Sequence, residues 1–188
     1  DAVDAAIDAM SGVTSQPILG SIVHALRHGE RDTGLDQEAI RQISTYWEWV
    51  RHYYRAFEAD IPAGTAEVYL HEIPGGQYTN LRAQARSMGL EEKWPQIADA
   101  YAEVNEMFGN IVKVTPTSKV VGDLALYMVA SGLTAEDVKN PEKDIAFPDS
   151  VISLFKGELG MPPEGFPEAL SKKILKGGKP LAGRAGAL

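Results

Sequence analysis

Two neighbouring hydroxyl groups, on Thr14 and Ser15, lie in the polar loop 11–16. The loop follows a predicted strand and precedes a predicted helix. If that strand belongs to a parallel barrel, the loop lies on the face of the barrel where active sites form. Both hydroxyls can donate and accept protons, which suits proton transfer. Helix capping by Ser15 explains the loop equally well, so its residues alone leave both interpretations open.

Two further loops could contact a ligand. Pro74-Gly-Gly-Gln77 is glycine-rich, but it lacks the Lys-Ser or Lys-Thr of a phosphate-binding loop. We interpret it as a sharp turn that uses left-handed glycine, with a ligand-binding strand end as the alternative. Lys113-Val-Thr-Pro-Thr-Ser-Lys119 could hold an anion at a helix N-terminus. A plain loop with Ser118 as the helix N-cap is favoured over that site.

The four histidines do not predict a metal site. His24 and His28 are four residues apart and could share a helix face, but no acidic third ligand has matching spacing. His52 lies beside tyrosines on a long predicted helix, which favours a packed or exposed position. His71 precedes a glutamate but lacks the second histidine of a zinc-protease motif.

The composition argues against several classes of protein. The chain has 188 residues, 18 Lys plus Arg and 26 Asp plus Glu, and its net charge is −8. Nucleic-acid binding and polybasic membrane binding both need a basic surface, which this charge does not favour. The chain has no Cys, which excludes disulfides and a Cys nucleophile. No apolar run approaches the ~20 residues of a membrane helix. Asp1 and Asp4 do not fit a signal peptide.

The apolar periodicity predicts a mostly helical chain with two strands, at about 3–9 and 66–73. The clearest helix covers about 36–58, with Asp36 as its N-cap. A capping box is predicted at Thr134, with Asp137 in place of the usual Glu. Other helices are predicted at about 17–26, 79–88, 95–108, 118–131, 149–156 and 167–176.

Two strands this far apart in sequence do not make a stable sheet by themselves. The first begins at the start of the chain, which also lacks an initial Met. We therefore expect further strands of the same sheet to precede it, in a longer protein.

Three long motifs occur in order, at 10–17 (Met-Ser-Gly-Val-Thr-Ser-Gln-Pro), 69–81 and 109–126, and shorter ones follow at 147–151 and 165–170. Together they resemble the biotin-dependent carboxyltransferases, and among these the pyruvate carboxylase family. The resemblance covers essentially the whole chain. It implies the fold class α/β, with the C-terminal strands of a TIM (β/α)8 barrel and an all-helical extension that forms a funnel over the barrel mouth.

The same resemblance implies a division of the chain. Residues 1–78 would be the last βα units of the barrel, with its seventh strand at 1–9 and its eighth at 66–73. Residues 79–177 would form the helical extension, and 178–188 a tail or linker. The chain itself would be mostly α.

The resemblance also implies the reaction and one catalytic residue. The family moves CO2 from carboxybiotin to the enolate of pyruvate, which gives oxaloacetate. Its Thr-Ser-Gln-Pro threonine passes a proton between the methyl group of pyruvate and the ring nitrogen of biotin. Thr14 matches that threonine, so we expect it to be the catalytic and substrate-binding residue. A hydroxyl suits the task because it gives and takes a proton without carrying charge.

Several cofactors and partners implied by the resemblance would lie outside this chain. The family's divalent metal, Mn or Zn, is held by a carbamylated lysine, an aspartate and two histidines on earlier strands, so no metal ligand is expected here. ATP belongs to a biotin carboxylase domain, and biotin to a carrier domain. We expect both as partners in a homo-oligomer, a tetramer in the family, located in the cytoplasm or in the mitochondrial matrix of a eukaryote. The 188 residues alone would be inactive.

Two alternatives remain at this point. Oxaloacetate decarboxylase alpha subunits share shorter versions of the motifs, although 46–49 and 119–123 are closer to the pyruvate carboxylases. A free-standing helical binding or scaffold module could reuse the segment, but its first strand would have an unpaired edge.

Overall fold

The computed structural model describes residues 2–61, 63–183 and 186. These residues form nine α-helices: α1 (Leu19–Leu26), α2 (Gln37–Tyr54), α3 (Val68–His71), α4 (Gly75–Ser87), α5 (Trp94–Met107), α6 (Thr117–Ser131), α7 (Ala135–Lys139), α8 (Asp149–Lys156) and α9 (Glu168–Ile174). Short 3-10 helices cover Asp8–Met10, Arg55–Phe57 and Glu91–Lys93. In this part of the chain, no helix has the length and apolar character needed to cross a membrane.

Neither of the two predicted strands forms. Over 3–9 the chain makes one isolated parallel bridge, between Ala6 and Ile18, and then enters a 3-10 helix. Over 66–73 it makes the single helical turn α3 and leaves it at Glu72, with a φ of 52°. A strand is held by hydrogen bonds to a neighbouring strand. The described residues supply no such neighbour, so the apolar alternation does not produce a sheet.

Residues 1–64 form one compact unit, the N-terminal unit, around α1 and α2. Its core is small, because Val23 and Ile40 are the buried apolar side chains among its described residues. Asp36 caps α2 as predicted, since its Oδ1 accepts a hydrogen bond from the N–H of Glu38 at 2.8 Å. The aromatic side chains further along α2 are largely exposed.

Residues 65–188 form the second compact unit, the C-terminal unit, with a larger core. Helices α5 and α6 contribute its most deeply buried side chains, among them Tyr101, Val104, Val121 and Leu124. The hydroxyl of Tyr101 donates a hydrogen bond to the carbonyl of Ser118 at 3.2 Å, so its polar end is satisfied inside the core. Burial of each such apolar side chain stabilises the fold by roughly 1.5–3 kcal/mol.

Gly122 lets α6 approach α4 closely. A Cβ at this position would lie 2.5 Å from Nε2 of Gln77 and 3.1 Å from Cδ1 of Leu81. Gln77 is itself buried, so it has little room to move. We expect Gly122→Ala to lower the free energy of unfolding by about 1–2 kcal/mol, because overpacking outweighs the gain in helix propensity.

Urea unfolding of the purified chain would measure this effect. Gly76→Ala is the matched control, because Gly76 also lies in a helix and a Cβ there meets nothing within 4 Å. Adding Gln77→Ala to Gly122→Ala should recover part of the loss, since the two positions are in contact. Equal stability of the Gly122→Ala and Gly76→Ala variants would show that the close approach of α6 to α4 does not require glycine at position 122.

Thr134 and Asp137 form the predicted capping box at the start of α7. Oγ1 of Thr134 accepts a hydrogen bond from the N–H of Asp137 at 3.2 Å, and Oδ2 of Asp137 accepts one from the N–H of Thr134 at 3.0 Å. Lys143 lies 2.8 Å from the same carboxylate. The hydrogen bond from Lys143, and then that from the Thr134 backbone, lowers the pKa of Asp137 to about 2.

This pKa predicts a stability change in acid. Because the folded pKa lies below the unfolded value of 3.8, the charged carboxylate stabilises the fold above that value and loses its effect as the pH falls towards 2. We expect the melting temperature of Asp137→Asn to be lower than that of the parent at pH 7, with the gap closing towards pH 2. Glu136→Gln, at the exposed neighbouring position, should show no gap at either pH. A difference in melting temperature that stays constant with pH would contradict the low pKa assigned to Asp137.

Candidate functional site

Hydrogen bonds hold together the two ends of the loop that carries Thr14. The N–H of Ala6 donates to the carbonyl of Pro17 at 2.9 Å. The N–H of Gly20 donates to Oδ1 of Asp8 at 2.7 Å. Both bonds join the segment before the loop to the segment after it, and Thr14 lies within the loop that they close, half-buried in a turn. The backbone on either side of its hydroxyl is therefore held by hydrogen bonds.

Ser15 shapes the loop and does not cap α1. Its Oγ accepts a hydrogen bond from the N–H of Gly12 at 2.8 Å and donates one to the carbonyl of Gln16 at 2.8 Å. Helix α1 begins later, with Ile18 at the N-cap and no capping side chain. The capping interpretation of Ser15 is therefore wrong, because its hydroxyl bonds within the loop. The sequence alone could not show that the Ser15 hydroxyl bonds within the loop.

The four histidines are dispersed through the structure. His24 lies in the last turn of α1, and His28 lies beyond the end of that helix with a φ of 66°. These two therefore do not share a helix face. His52 is exposed on α2. The described residues contain no group of three or more His, Asp or Glu side chains that could hold a metal ion.

His71 differs from the others because it is buried, with 3% of its surface exposed. Its Nδ1 accepts a hydrogen bond from the N–H of Ile73 at 2.9 Å, which makes it the unprotonated nitrogen. Burial lowers the pKa of His71. The ring lies 5.6 Å from that of Tyr78. This is the environment of a neutral histidine that packs in a core.

The glycine-rich segment 74–77 is the beginning of a helix. Helix α4 starts at Gly75, with Pro74 at its N-cap. The left-handed residue of this region is Glu72, with a φ of 52°, and neither Gly75 nor Gly76 has a positive φ. The predicted sharp turn at the glycines is therefore wrong, since the chain changes direction before the proline.

The two lysines of the 113–119 loop each have a carboxylate partner. Nζ of Lys113 lies 2.5 Å from Oε2 of Glu72, and Nζ of Lys119 lies 2.6 Å from Oδ2 of Asp123. This pairing favours the plain-loop interpretation over an anion site. The predicted N-cap is wrong, because α6 begins at Thr117 and Ser118 lies buried inside it.

Two side chains of α2, which no sequence motif indicated, bond to the segment before the Thr14 loop. Oγ of Ser44 accepts a hydrogen bond from the N–H of Ala9 at 2.9 Å. Nη1 of Arg51 donates one to the carbonyl of Ala9 at 2.6 Å. Both belong to α2 and are 35 and 42 residues from Ala9, so no local pattern could have indicated them.

The chain matches the conserved carboxylase domain over residues 68–188. The complete pyruvate carboxylase of Rhizobium etli is 62% identical, with a TM-score of 0.91 over 99% of this chain and 17% of that one. The carboxyl transferase domain of the same enzyme, solved with pyruvate and biocytin, is 62% identical with a TM-score of 0.89, over 99% of this chain and 31% of that one.

The pyruvate carboxylase of Bacillus subtilis is 48% identical over 188 residues, which are 100% of this chain and 16% of that protein. The chain belongs to the conserved carboxylase domain family. Within that family its relatives are pyruvate carboxylases, which confirms the resemblance seen in the motifs and favours it over both alternatives. The chain spans about a sixth of the length of these relatives.

Proposed function

We propose that the chain is a segment of a biotin-dependent pyruvate carboxylase, in the domain that transfers CO2 from carboxybiotin to the enolate of pyruvate and gives oxaloacetate. One observation carries this proposal. The chain is 62% identical, over 99% of its length, to a carboxyl transferase domain solved with pyruvate and biocytin. Over the same length the backbones agree with a TM-score of 0.89.

Thr14 is the residue that we propose for proton transfer in this reaction. Biotin, when bound, would supply the carboxyl group to the methyl carbon of pyruvate, and its ring nitrogen would take up a proton in exchange. The Thr14 hydroxyl accepts a proton from that methyl group and donates its own proton to the ring nitrogen, so it ends the reaction unchanged. Hydrogen bonds between the two segments that flank its loop restrain the backbone there, which supports this role because a hydroxyl already in position needs less ordering.

The remaining parts of the reaction are proposed to lie outside these residues. The described part of the chain offers no metal-binding cluster, so no step assigned to it involves the metal. We place the Mn or Zn ligands, the ATP-using biotin carboxylase domain and the biotin carrier domain elsewhere in a homotetrameric enzyme. We also place residues 1–78 at the end of a TIM barrel, 79–177 in its helical extension and 178–188 in a tail, of which 184, 185, 187 and 188 lie outside the described residues. The cytoplasm, or the mitochondrial matrix of a eukaryote, is the proposed location.

A chimaera tests the proposal. Rhizobium etli pyruvate carboxylase would carry this chain in place of its own matching residues. We expect oxaloacetate formation from pyruvate at a rate comparable with the parent enzyme, and loss of that activity when avidin blocks the biotin. A chimaera that assembles like the parent and cleaves ATP in the presence of bicarbonate, yet forms no oxaloacetate, would contradict the proposal.

A further inference from the structure

Ala9 has both polar groups of its backbone bonded to side chains of one helix. The Ala9 N–H donates to Oγ of Ser44 at 2.9 Å, and the Ala9 carbonyl accepts from Nη1 of Arg51 at 2.6 Å. Ser44 and Arg51 are seven residues apart on α2, which is two turns, so they lie on the same side of the helix. Two bonds to one residue fix both the position and the orientation of the backbone there.

Arg51 is itself held in place by a carboxylate. Its Nε donates to Oε1 of Glu58 at 2.6 Å, while a different nitrogen bonds to Ala9. The two side chains are 36% and 39% exposed, so the pair is partly shielded from water. The guanidinium is a planar group with N–H donors in fixed directions, so a contact on one side orients the other. Glu58 therefore helps to aim Arg51 at the Ala9 carbonyl.

Ala9 lies just before the loop 11–16, which carries Thr14. Asp8, next to Ala9, accepts the N–H of Gly20, which lies beyond the other end of the loop. The contacts with α2 therefore act on the same short segment that fastens the loop carrying Thr14. A shift of this segment would move the Thr14 hydroxyl with it.

We propose that Arg51, supported by Glu58, and Ser44 are positioning residues that hold the Thr14 loop in its reactive geometry. This inference rests on the proposed function, because it concerns the proton transfer assigned to Thr14. It adds to that function a specific role for α2. Displacement of a catalytic group by about 1 Å can lower a rate by roughly 10²-fold, so such positioning has a large kinetic effect.

The chimaera described above provides the test. We expect Arg51→Ala to lower kcat for oxaloacetate formation by roughly 10²-fold and Ser44→Ala by roughly fivefold, from the lost positioning and the lost hydrogen bond. KM for pyruvate and bicarbonate-dependent ATP cleavage should change little. Ser44→Thr, which keeps the hydroxyl, should restore the rate, and Arg51→Lys should restore part of it.

Arg41→Ala is the matched control, because Arg41 also lies on α2, is 72% exposed and pairs with Glu38. It should leave kcat unchanged. Parallel losses of oxaloacetate formation and ATP cleavage in Arg51→Ala would show a general structural defect and overturn the inference. If Thr14→Ala is inactive but Arg51→Ala has the same kcat as Arg41→Ala, the positioning role is wrong and the role of Thr14 stands. If Thr14→Ala remains active, the proton-transfer role of Thr14 fails.

Discussion

Replacing Thr14 with alanine is expected to stop oxaloacetate formation in the chimaera and to leave ATP-dependent carboxylation of biotin largely intact. The variant removes the hydroxyl proposed to accept and donate the proton, and general acid–base catalysis by one positioned group contributes about 10²–10⁴-fold. The ATP-dependent step is assigned to another domain, so it does not need this hydroxyl. Oxaloacetate formation and bicarbonate-dependent ATP cleavage, measured side by side on one preparation, separate the two effects.

Two variants control this experiment. Thr14→Ser keeps a hydroxyl at the same position and should retain much of the rate. Thr45→Ala removes the same atoms from the exposed surface of α2, where the hydroxyl donates to the carbonyl of Arg41 at 2.9 Å, and it should be neutral. The proton-transfer assignment is wrong if Thr14→Ala forms oxaloacetate at a rate near that of Thr45→Ala.

Replacing Phe155 with alanine is expected to lower the free energy of unfolding of the C-terminal unit by about 3–5 kcal/mol. The Phe155 side chain is 0% exposed. Its ring packs edge-on against Phe108 at 5.0 Å and stacks on Phe166 at 4.2 Å. Truncation would leave a cavity between these rings, and the loss includes the two aromatic pairs, worth roughly 0.5–1.5 kcal/mol each. A loss of this size is a large fraction of the stability of an ordinary domain.

Urea unfolding of the purified chain would measure the loss through the fluorescence of Trp94, which is buried in the C-terminal unit. The other two tryptophans, Trp47 and Trp49, would be replaced with phenylalanine so that the signal reports on this unit. Phe57→Ala is the matched control, because Phe57 is 85% exposed, and it should change stability by less than about 0.5 kcal/mol. Similar midpoints for the Phe155→Ala and Phe57→Ala variants would refute the expected cavity.

Two helix N-caps could be predicted from the local sequence. Asp36 caps α2 and Thr134 forms a capping box with Asp137, both as expected. A cap involves residues two or three positions apart, so the local sequence contains all its partners. The predicted cap at Ser118 and the capping interpretation of Ser15 were wrong, because in each case the helix begins at another residue. A hydroxyl near a helix start is thus a weak signal when other polar groups lie close to it.

The alternation of apolar residues did not reveal that the two predicted strands fail to form. The segments 3–9 and 66–73 have suitable patterns, yet the described chain contains one isolated bridge and one helical turn there. Strand formation depends on a partner strand, which is often distant in sequence, so a local pattern cannot establish it. The same limit applies to the pairing of Lys113 with Glu72, which are 41 residues apart.

The sequence by itself determined the family, the mostly helical character and the candidate catalytic hydroxyl. Motifs and apolar periodicity depend only on residues that are close together in the chain. Only the tertiary structure decided which residues hold the loop that carries this hydroxyl. It assigned Ser15 to bonds within the loop and brought Ser44 and Arg51 to the backbone of Ala9. These contacts join residues far apart in the chain, and their partners are settled by the packing of α2 beside the loop segment.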